Sequence, residues 1–408
     1  MRCRHCRAEV SLPFVDLGSA PPSNAYLRPE DLDRPERWFP LRVWACERCW
    51  LVQTQDFAAA EELFDGDYAY FSGFSRSWLE HAERYVARMT DLLGLGRASH
   101  VVEVAANDGY LLQFVAARGI PCTGIEPTAS TAAAARAKGL TIVEEFFGTD
   151  LAGRLRGTLP PADLMAANNV LAHVPDVVDF MRGFALMLAP YGVATFEFPH
   201  LMRLIAGTQF DTIYHEHFSY LSLGAVERIA QSSGLEVFDV EEIPTHGGSL
   251  RVFAQRADTG IRPRGAAVGR VRAAEKAAGL ERAETYAGFQ ARAEAVRDGF
   301  VRFLLDARRE GRRVAAYGAA AKGNTLLNFA GVRPHLLPIV ADSNPAKQGR
   351  HMPGSRIPIV TPADLDRYLP DDLVVLPWNI LDEVRRNNAH LASRGTRFVT
   401  AVPQLAFA

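Results

Sequence analysis

Residues 101–110, VVEVAANDGY, constrain the fold of this chain more than any other segment. An apolar strand ends at Glu103 and passes through small residues to Asn107, Asp108 and Gly109, and the helical pattern YLLQFVAARG follows. A tight turn of this kind lets backbone amides and a helix N-terminus approach a polar ligand closely. The dinucleotide glycine triad is absent, so an ordinary strand-to-helix turn is the alternative.

Alternating helical stretches and short apolar strands surround this segment from about residue 78 to 255, which is typical of a parallel sheet covered by helices. The predicted strands are HVVEVAA, CTGIEP, ADLMAAN, GVATFEFP, LEVFDVEEI and LRVFAQR. A second pattern of this type runs from RRVAAYGAAAKGN through LLPIVADSN and DDLVVLPWN to TRFVTAVP. The chain is therefore predicted to be an α/β protein with two separate α/β units.

The 408 residues divide into four predicted parts, since this length exceeds one ordinary core. A small cysteine-containing module occupies residues 1–65, and a Rossmann-type domain occupies residues 66–260. Residues 261–310 carry apolar residues at helical spacing and predict a connector of one or two amphipathic helices. Residues 311–408 form a doubly wound α/β domain in this prediction.

Four of the five cysteines form two CxxC pairs, and Cys122 stands alone. Cys3 with Cys6, and Cys46 with Cys49, can offer four thiolates at the corners of a tetrahedron around Zn²⁺. A closed four-cysteine site leaves no position for a substrate, so the predicted zinc is structural. The gap between the pairs is longer than in compact zinc ribbons, which leaves four unrelated buried thiols as the alternative.

Polar residues at the ends of two further predicted strands favour an adenosyl ligand. Glu126 ends CTGIEP, 23 residues after Glu103, where an acidic side chain can accept hydrogen bonds from both ribose hydroxyls. Asn168 ends ADLMAAN and Asn169 follows it, at the sheet edge where ligands bind in open α/β folds. Phe147 in EEFFG is a candidate aromatic wall for adenine, although paired phenylalanines also form ordinary core.

The densest polar cluster is QFDTIYHEHFSYLS, which contains Tyr214, His215, Glu216, His217 and Tyr220. A histidine titrates near neutrality, an adjacent carboxylate can orient it, and a tyrosine can donate to a developing oxyanion. A metal site is the less economical interpretation because HEH lacks the i, i+4 spacing of a helical zinc pair. The cluster predicts general acid–base chemistry, with satisfied polar residues between elements as the alternative.

Two further segments are predicted to contact an acceptor. DYAYFSGFSRSW, with Tyr68, Tyr70 and Ser72, follows the cysteine module where a loop can close over a sugar. In YGAAAKGNTLLN, a small-residue turn carries Lys322 and Asn324 into a helix, which suits a diphosphate. The alternatives are a packed Ala/Gly crossover there and, for PTHGGSLRVF, only a turn before a strand.

Charge and hydropathy exclude several other partners. The net charge is -2, with 45 basic and 47 acidic residues interspersed, so no broad footprint for nucleic acid or an anionic membrane is present. MRCRHCRAEV lacks the apolar core of a signal peptide, and no later stretch has about 18 uninterrupted apolar residues. We therefore expect a cytoplasmic protein with no nucleic-acid or membrane partner. The oligomeric state is left open, and a monomer is compatible with the sequence.

In their order along the chain, these motifs resemble the S-adenosylmethionine (SAM) dependent C-methyltransferases of nucleotide-linked dTDP-4-ketodeoxysugars. The resemblance runs through CxxC…CxxC with LPFVDLGSAPPSNAYL between the pairs, then EVAANDG, GIEP, IYHEHFSYLS, HGGSLRVF, YGAAAKGNTLLN and DSNPAKQGRHMPGSRIPI. It implies a zinc-binding N-terminal module, a central SAM domain and a C-terminal α/β domain that helps to hold a nucleotide sugar. SAM and a structural Zn²⁺ are the implied cofactors.

The resemblance also implies roles for individual residues. His217 is the expected base, Glu216 and Tyr214 are its neighbours, and Tyr70 is the expected loop tyrosine, with Tyr68 as a close alternative. The expected donor contacts are Glu103, Asn107, Asp108, Glu126, Phe147, Asn168 and Asn169. The expected acceptor contacts are Tyr68, Ser72, His173, Lys322 and Asn324. The role of His215 stays open, and Ala105 stands where some members have glycine.

The implied reaction is carbon methylation next to a ketone, through an enolate, in deoxysugar and natural-product biosynthesis. C-3 is favoured as the methylated carbon and C-5 is the alternative, while the sugar substituents and the nucleotide base stay open. An O- or N-methyltransferase of a small natural product is a second hypothesis. A non-catalytic protein that binds SAM or a nucleotide sugar is a third.

Overall fold

The computed structural model describes residues 1–57 and 71–408. A 3₁₀ turn at Pro29–Asp31 lies between the first and the second of three N-terminal strands. These strands are β1 (Leu12–Ala20), β2 (Phe39–Ala45) and β3 (Val52–Thr54). They form an antiparallel sheet. Two register shifts interrupt β1, so its side chains do not alternate regularly and the sequence shows little strand periodicity there.

The central domain is built on a seven-stranded sheet. Its region contains β4 (Val101–Val104), β5 (Cys122–Ile125), β6 (Ile142–Val143), β7 (Ala162–Asn168), β8 (Leu188–Pro199), β9 (Ser219–Tyr220), β10 (Leu235–Ile243) and β11 (Ser249–Arg256). The strand order is β10-β11-β8-β7-β4-β5-β6, and β11 runs antiparallel to both neighbours. The order reverses between β4 and β7, and open α/β sheets bind ligands at such a switch point.

Helices cover this sheet and position its loops. They are α1 (Arg76–Leu93), α2 (Leu112–Ala116), α3 (Ala129–Ala137), α4 (Thr149–Leu155), α5 (Val177–Met187), α6 (Leu201–Ala206) and α7 (Leu223–Ser232). Short 3₁₀ turns occur at Ser72–Phe74, Leu171–His173, Phe210–Thr212 and Thr245–Gly247. The Ser75 side chain caps α1 by accepting a hydrogen bond from the Trp78 amide, which fixes where this helix begins.

The connector contains three helices, whereas the sequence predicts one or two. They are α8 (Ala266–Ala277), α9 (Ala283–Ala287) and α10 (Phe289–Arg309). Only Gly288 separates the last two, so their apolar patterns read as one helix. Glu275 of α8 is buried and accepts hydrogen bonds from His200 Nε2 at 2.8 Å and the Gly224 amide at 3.0 Å, which anchors the connector to the central domain.

The C-terminal domain contains a second, mostly parallel sheet. Its strands are β12 (Val314–Tyr317), β13 (Val340–Ala341), β14 (Ile359–Val360), β15 (Asp372–Val375), β16 (Arg397–Thr400) and β17 (Ala406–Phe407), in the order β14-β13-β12-β15-β16-β17. Its helical segments are α11 (Ala321–Phe329), α12 (Pro362–Tyr368), α13 (Leu381–Asn387) and α14 (Ala389–Ala392), with a 3₁₀ turn at Trp378–Ile380. The predicted α/β fold class is confirmed.

One apolar core joins the N-terminal sheet, the connector and the C-terminal domain. Phe14 of β1 stacks on Phe289 at 4.3 Å between ring centroids and meets Tyr286 edge-on at 5.7 Å. These contacts bury the outer face of β1, so the N-terminal sheet is fixed against the C-terminal half of the chain. Within residues 1–57 and 71–408, none of the helices combines the length and the apolar character that spanning a bilayer requires.

Candidate active site

The four paired cysteines converge on one point. The ligand atoms of Cys3, Cys6, Cys46 and Cys49 all lie within 4.8 Å of one another, with sulfur pairs at 3.5 Å. The two pairs fold alike, since the residue after each second cysteine has a left-handed backbone and donates its amide to the carbonyl of the first cysteine. Four convergent sulfurs of this geometry fit tetrahedral zinc, so the predicted structural zinc site is confirmed.

A cavity of about 370 Å³ lies at the switch point between β4 and β7. Its lining includes six residues predicted to bind the methyl donor or the acceptor: Asn107, Glu126, Phe147, Asn168, Asn169 and His173. Ser72, predicted on the acceptor side, also lines this cavity. The walls are mostly apolar, as in small-molecule sites that place a few polar groups precisely for orientation.

Glu126 is held in one orientation by two backbone amides. Its Oε2 accepts from the Asn107 amide at 2.9 Å, and its Oε1 accepts from the Thr128 amide at 2.9 Å. Each carboxylate oxygen still has a second lone pair to accept a hydroxyl proton. The carboxylate therefore braces the β4 loop and can also receive two neighbouring hydroxyls of a ribose.

Asn168 and Asn169 supply polar atoms that the protein itself leaves unsatisfied. Both side-chain atoms of Asn168, and Oδ1 of Asn169, are buried and hydrogen-bond to nothing among the residues that the structure describes. Buried polar groups without partners are destabilising, and a bound polar ligand relieves this. The cavity between β4 and β7 thus fits SAM, the methyl donor, which carries hydrogen-bonding groups along its length, and we call it the donor cavity.

The loop that follows β4 has an unusual backbone. Ala105, Asn107 and Gly109 have φ values of 60°, 50° and 75°. A side chain on Gly109 would meet Leu140 at 2.3 Å, so only glycine fits there without movement. Ala105 adopts the left-handed conformation even though it has a Cβ atom, so the turn forms here without a glycine at this position.

Two predicted donor contacts lie outside the cavity lining. Glu103 lies in β4, where burial raises the pKa of its carboxyl well above the usual range, and Tyr110 partly opposes this rise. Asp108 accepts from the Gly73 amide at 3.2 Å and pairs with Lys138 at 3.2 Å, so it holds the segment before α1. Their role as donor ligands stays a prediction.

His217 is the centre of a second cluster beside the donor cavity. Its Nδ1 donates to the carbonyl of Thr212 at 2.9 Å. Since a carbonyl only accepts, the neutral ring carries its proton on Nδ1 and its lone pair on Nε2. Its ring centroid lies 3.9 Å from that of Tyr214 and 4.6 Å from that of His173. Burial, followed by the neighbouring His173, holds the pKa of His217 well below its usual range, so the ring is a free base at neutral pH.

The side chains of the two residues before His217 contact the N-terminal part of the chain. Glu216 is buried and its Oε1 accepts from Asn24 Nδ2 at 3.3 Å, while burial raises its pKa to about 7. His215 Nε2 donates to the carbonyl of Phe39 at 3.2 Å, which ties this segment to β2. The structure therefore gives His215 a packing contact with the N-terminal sheet.

The C-terminal domain brings a cation to this cluster. Lys322 Nζ donates to Asn379 Oδ1 at 2.6 Å and lies 4.9 Å from the centre of the Trp378 ring. Its charge is among the causes that lower the pKa of both His217 and His246. Trp378 also packs against Gly247, so Lys322 lies near the His246 turn. Asn324 is completely buried in α11, and its Nδ2 has no partner within the described part of the chain.

Sequence analysis missed several groups at this site. Trp378 and Asn24 reach the site through docking of the C-terminal and N-terminal parts of the chain, and His246 meets Asn169 within the central part. The HGG triplet was a usable signal, because consecutive glycines after a histidine mark a turn with a special backbone. Tyr68 and Tyr70 lie outside the described residues.

The sheet order, the braced carboxylate and the unsatisfied asparagines define a Rossmann-type SAM-dependent methyltransferase. Residues 3–64 match a zinc binding domain family, residues 78–240 a methyltransferase domain family, and residues 244–403 the C-methyltransferase C-terminal domain family. The chain is 34% identical over 404 residues to the C-methyltransferase NovU of Streptomyces niveus, covering 98% of this chain and 95% of the relative. The chain therefore belongs to the SAM-dependent C-methyltransferases with an N-terminal zinc-binding domain.

Solved structures show more distant likeness. A magnesium protoporphyrin IX methyltransferase from Synechocystis PCC 6803 with bound SAM is 14% identical, with a TM-score of 0.35 and coverage of 50% of this chain and 100% of that chain. A SAM-dependent methyltransferase from Mesorhizobium loti is 18% identical, with a TM-score of 0.34 and coverage of 44% and 100%.

Proposed function

We propose that this enzyme transfers the methyl group of SAM to a dTDP-4-keto-deoxysugar, at the carbon next to the ketone, in deoxysugar or natural-product biosynthesis. C-3 is favoured and C-5 is the alternative. The observation that carries the proposal is the fixed tautomer of His217, which presents an unprotonated Nε2 beside the donor cavity. The resemblance of the ordered motifs to ketosugar enzymes supports the choice of acceptor.

A carbon next to a ketone is acidic enough for an imidazole to act on it, because the resulting enolate spreads its charge onto the carbonyl oxygen. His217 Nε2 removes the proton, while the Thr212 carbonyl holds Nδ1–H and so stabilises the imidazolium that forms. When bound, SAM supplies an electrophilic methyl group. The adjacent, tilted ring of Tyr214 keeps the imidazole in position, and Glu216 orients the same segment through Asn24.

A positive charge from the C-terminal domain stabilises the negative charge that develops on the acceptor. Lys322 is half-buried, and its partial removal from water lowers its pKa while Asp211 partly opposes this. A cation in a water-poor site stabilises an enolate more strongly than one in water. The turn that carries Lys322 and Asn324 is our candidate for binding the diphosphate. Tyr70, or alternatively Tyr68, is our candidate for binding the ketosugar.

The test compares the wild type with His217→Asn, using SAM and a dTDP-4-ketosugar. Loss of a general base should lower the rate of methyl transfer by about 10²–10⁴-fold. Binding of S-adenosylhomocysteine, measured by calorimetry, should be unchanged because His217 does not line the donor cavity. His335→Asn, at an exposed histidine, is the matched control and should retain full activity.

Full activity of His217→Asn would rule out this residue as the base. NMR of the product locates the new methyl group, so a methyl on oxygen or nitrogen would support the second hypothesis instead. If the wild type forms no S-adenosylhomocysteine with any ketosugar tested, the non-catalytic hypothesis is favoured.

A further inference from the structure

His246 lies beside the donor cavity, next to Asn169 of its lining, in the 3₁₀ turn Thr245–Gly247. Its own φ is 53°, and those of Gly247 and Gly248 are 87° and 112°. A left-handed histidine is uncommon and persists only where its surroundings fix it. Such strained residues concentrate at functional sites.

Contacts from two parts of the chain hold this turn. Thr245 Oγ1 donates to the buried carboxylate of Glu197 at 3.3 Å, and Gln209 Nε2 donates to the carbonyl of Gly247 at 3.0 Å. A side chain on Gly247 would meet the ring of Trp378 at 2.4 Å, so the C-terminal domain closes against the turn. The imidazole of His246 is therefore held in one place.

The tautomer of His246 follows from its partner. Asn169 Nδ2 lies 3.3 Å from His246 Nε2. Since an amide NH₂ group only donates, Nε2 accepts, and the neutral ring carries its proton on Nδ1. Within residues 1–57 and 71–408, Nδ1 makes no hydrogen bond, so this N–H is available to a ligand. Asn169 lines the donor cavity, so the imidazole of His246 lies at the edge of this cavity.

The charge state of His246 suits a hydrogen-bond donor. Burial, followed by the neighbouring Lys322, lowers the pKa of His246 to about 4, so the ring is neutral near pH 7. His217 packs against His173 and His246 lies next to Asn169, and both of these partners line the donor cavity, while Trp378 places Lys322 against the His246 turn, so the three groups border one space. That space contains the base, a cation and an N–H donor, which are the groups that enolate formation needs.

We propose that His246 is a further catalytic residue, whose Nδ1–H donates a hydrogen bond to the carbonyl oxygen of the acceptor and stabilises the enolate. This inference rests on the proposed function. His217 Nε2 takes the α proton, the C–H electron pair becomes the new carbon–carbon π bond, and the carbonyl π pair moves onto the oxygen. His246 keeps its proton throughout, and Asn169 orients the ring as a positioning residue.

The test measures enolate formation apart from methyl transfer. Wild type and variants are incubated in D₂O with S-adenosylhomocysteine and a dTDP-4-ketosugar, and exchange of the α proton is followed by NMR. His246→Ala should lower the exchange rate by about 10²–10³-fold, the effect of removing one oxyanion donor. His246→Gln should recover part of the rate because its amide can donate, and His335→Gln should exchange like the wild type.

Asn169→Asp provides a second variant that keeps the imidazole. A carboxylate at this position accepts from Nε2, which moves the ring proton away from Nδ1, so exchange at saturating S-adenosylhomocysteine should fall as in His246→Ala. Exchange at the wild-type rate in both variants would overturn the role of His246 alone. Absence of exchange and of methyl transfer in the wild type would overturn the proposed function, and this inference with it.

Discussion

Four non-glycine residues with a left-handed backbone surround the two clusters of the site: Ala105, Asn107, Asn169 and His246. Each such conformation is unfavourable by about 1–3 kcal/mol, unless a short polar side chain relieves it locally. The two asparagines use their side chains as hydrogen-bond donor or acceptor, toward His246 and the Ser72 amide. The strain therefore positions polar atoms that a relaxed turn would direct elsewhere.

Glu216 should make the stability of the folded protein depend on pH. Its pKa is about 7 in the folded protein against 4.5 for the free side chain, because burial disfavours the charged form. Between these values the folded state keeps a proton that the unfolded chain has released, so the free energy of unfolding falls as pH rises through this window. At one pKa unit per 1.36 kcal/mol, the loss is about 3 kcal/mol.

Glu216→Gln cannot ionise and should escape this loss. Denaturant unfolding at pH 4, 6 and 8 measures the difference in stability between the variant and the wild type. That difference should shift by about 3 kcal/mol in favour of the variant between pH 4 and pH 8. At pH 4 both side chains are neutral, which provides the internal control. A difference that is constant across the pH range would show that Glu216 ionises normally.

At the scale of elements, the sequence predicts the parallel strands well and the small antiparallel ones poorly. β4, β5, β7 and β8 are buried on both faces, so they appear as continuous apolar runs. β9 has two residues and pairs with β3, more than 160 positions earlier, so no local pattern marks it. Pairing over such a distance is decided by tertiary packing.

The same distinction explains which site residues could be predicted. Glu126 and Asn168 lie at the ends of strands, where topology alone directs them to the ligand edge. Trp378 and Asn24 reach the site only after the N-terminal sheet and the C-terminal domain dock, whereas His246 meets Asn169 within the central domain. Local sequence contains no information on that docking.

The zinc site should support the segment that carries His217. The Thr54 amide of β3 donates to the carbonyl of Phe218 at 3.1 Å, and Thr54 Oγ1 donates to the carbonyl of His217 at 3.1 Å. Gln53 of β3 connects this strand to the zinc site, since its side chain accepts from the Arg4 amide at 2.9 Å and lies 3.4 Å from Cys3 Sγ. Loss of zinc should loosen β3 and then β9.

We predict that Cys49→Ala, or removal of zinc by a chelator, accelerates hydrogen exchange at residues 217–220 and lowers the rate of methyl transfer. Binding of S-adenosylhomocysteine should persist, because the donor cavity is formed by β4, β7 and their loops. Hydrogen-exchange mass spectrometry and calorimetry measure the two effects. Cys122→Ser, which removes a thiol outside the cluster, should keep both zinc and activity. Unchanged exchange at residues 217–220 would show that the module is independent of the site.

In the complete molecule, the proposed catalytic cluster lies where three parts of the chain meet. Thr54 and Asn24 approach it from the N-terminal part, His173 and His246 belong to the central part, and Lys322 comes from the C-terminal domain. The donor cavity, by contrast, is lined by residues 72–180. Changes that disturb the docking of these parts should therefore impair acceptor binding and methyl transfer but leave the binding of the methyl donor intact.

Trp378 offers the sharpest test of this division. Its Nε1 donates to Asp211 Oδ2 at 2.7 Å, across the contact between the C-terminal and central domains. Asp211 is buried, its Oδ1 has no hydrogen-bond partner among the residues described, and burial raises its pKa to about 6. Trp378→Phe keeps an aromatic ring under Lys322 but removes the N–H, so Asp211 loses a donor that offsets its burial.

We expect Trp378→Phe to lower the free energy of unfolding by about 1–3 kcal/mol, the usual effect of leaving a buried acceptor unsatisfied. The KM for the ketosugar should rise and kcat should fall, because Lys322 and the His246 turn both pack against this ring. The affinity for S-adenosylhomocysteine should stay at the wild-type value. Trp38→Phe, at an exposed tryptophan, is the control and should change none of these quantities. If Trp378→Phe weakened donor binding as much as acceptor binding, the two sites would have to be coupled through the domain contact, and the division would be wrong.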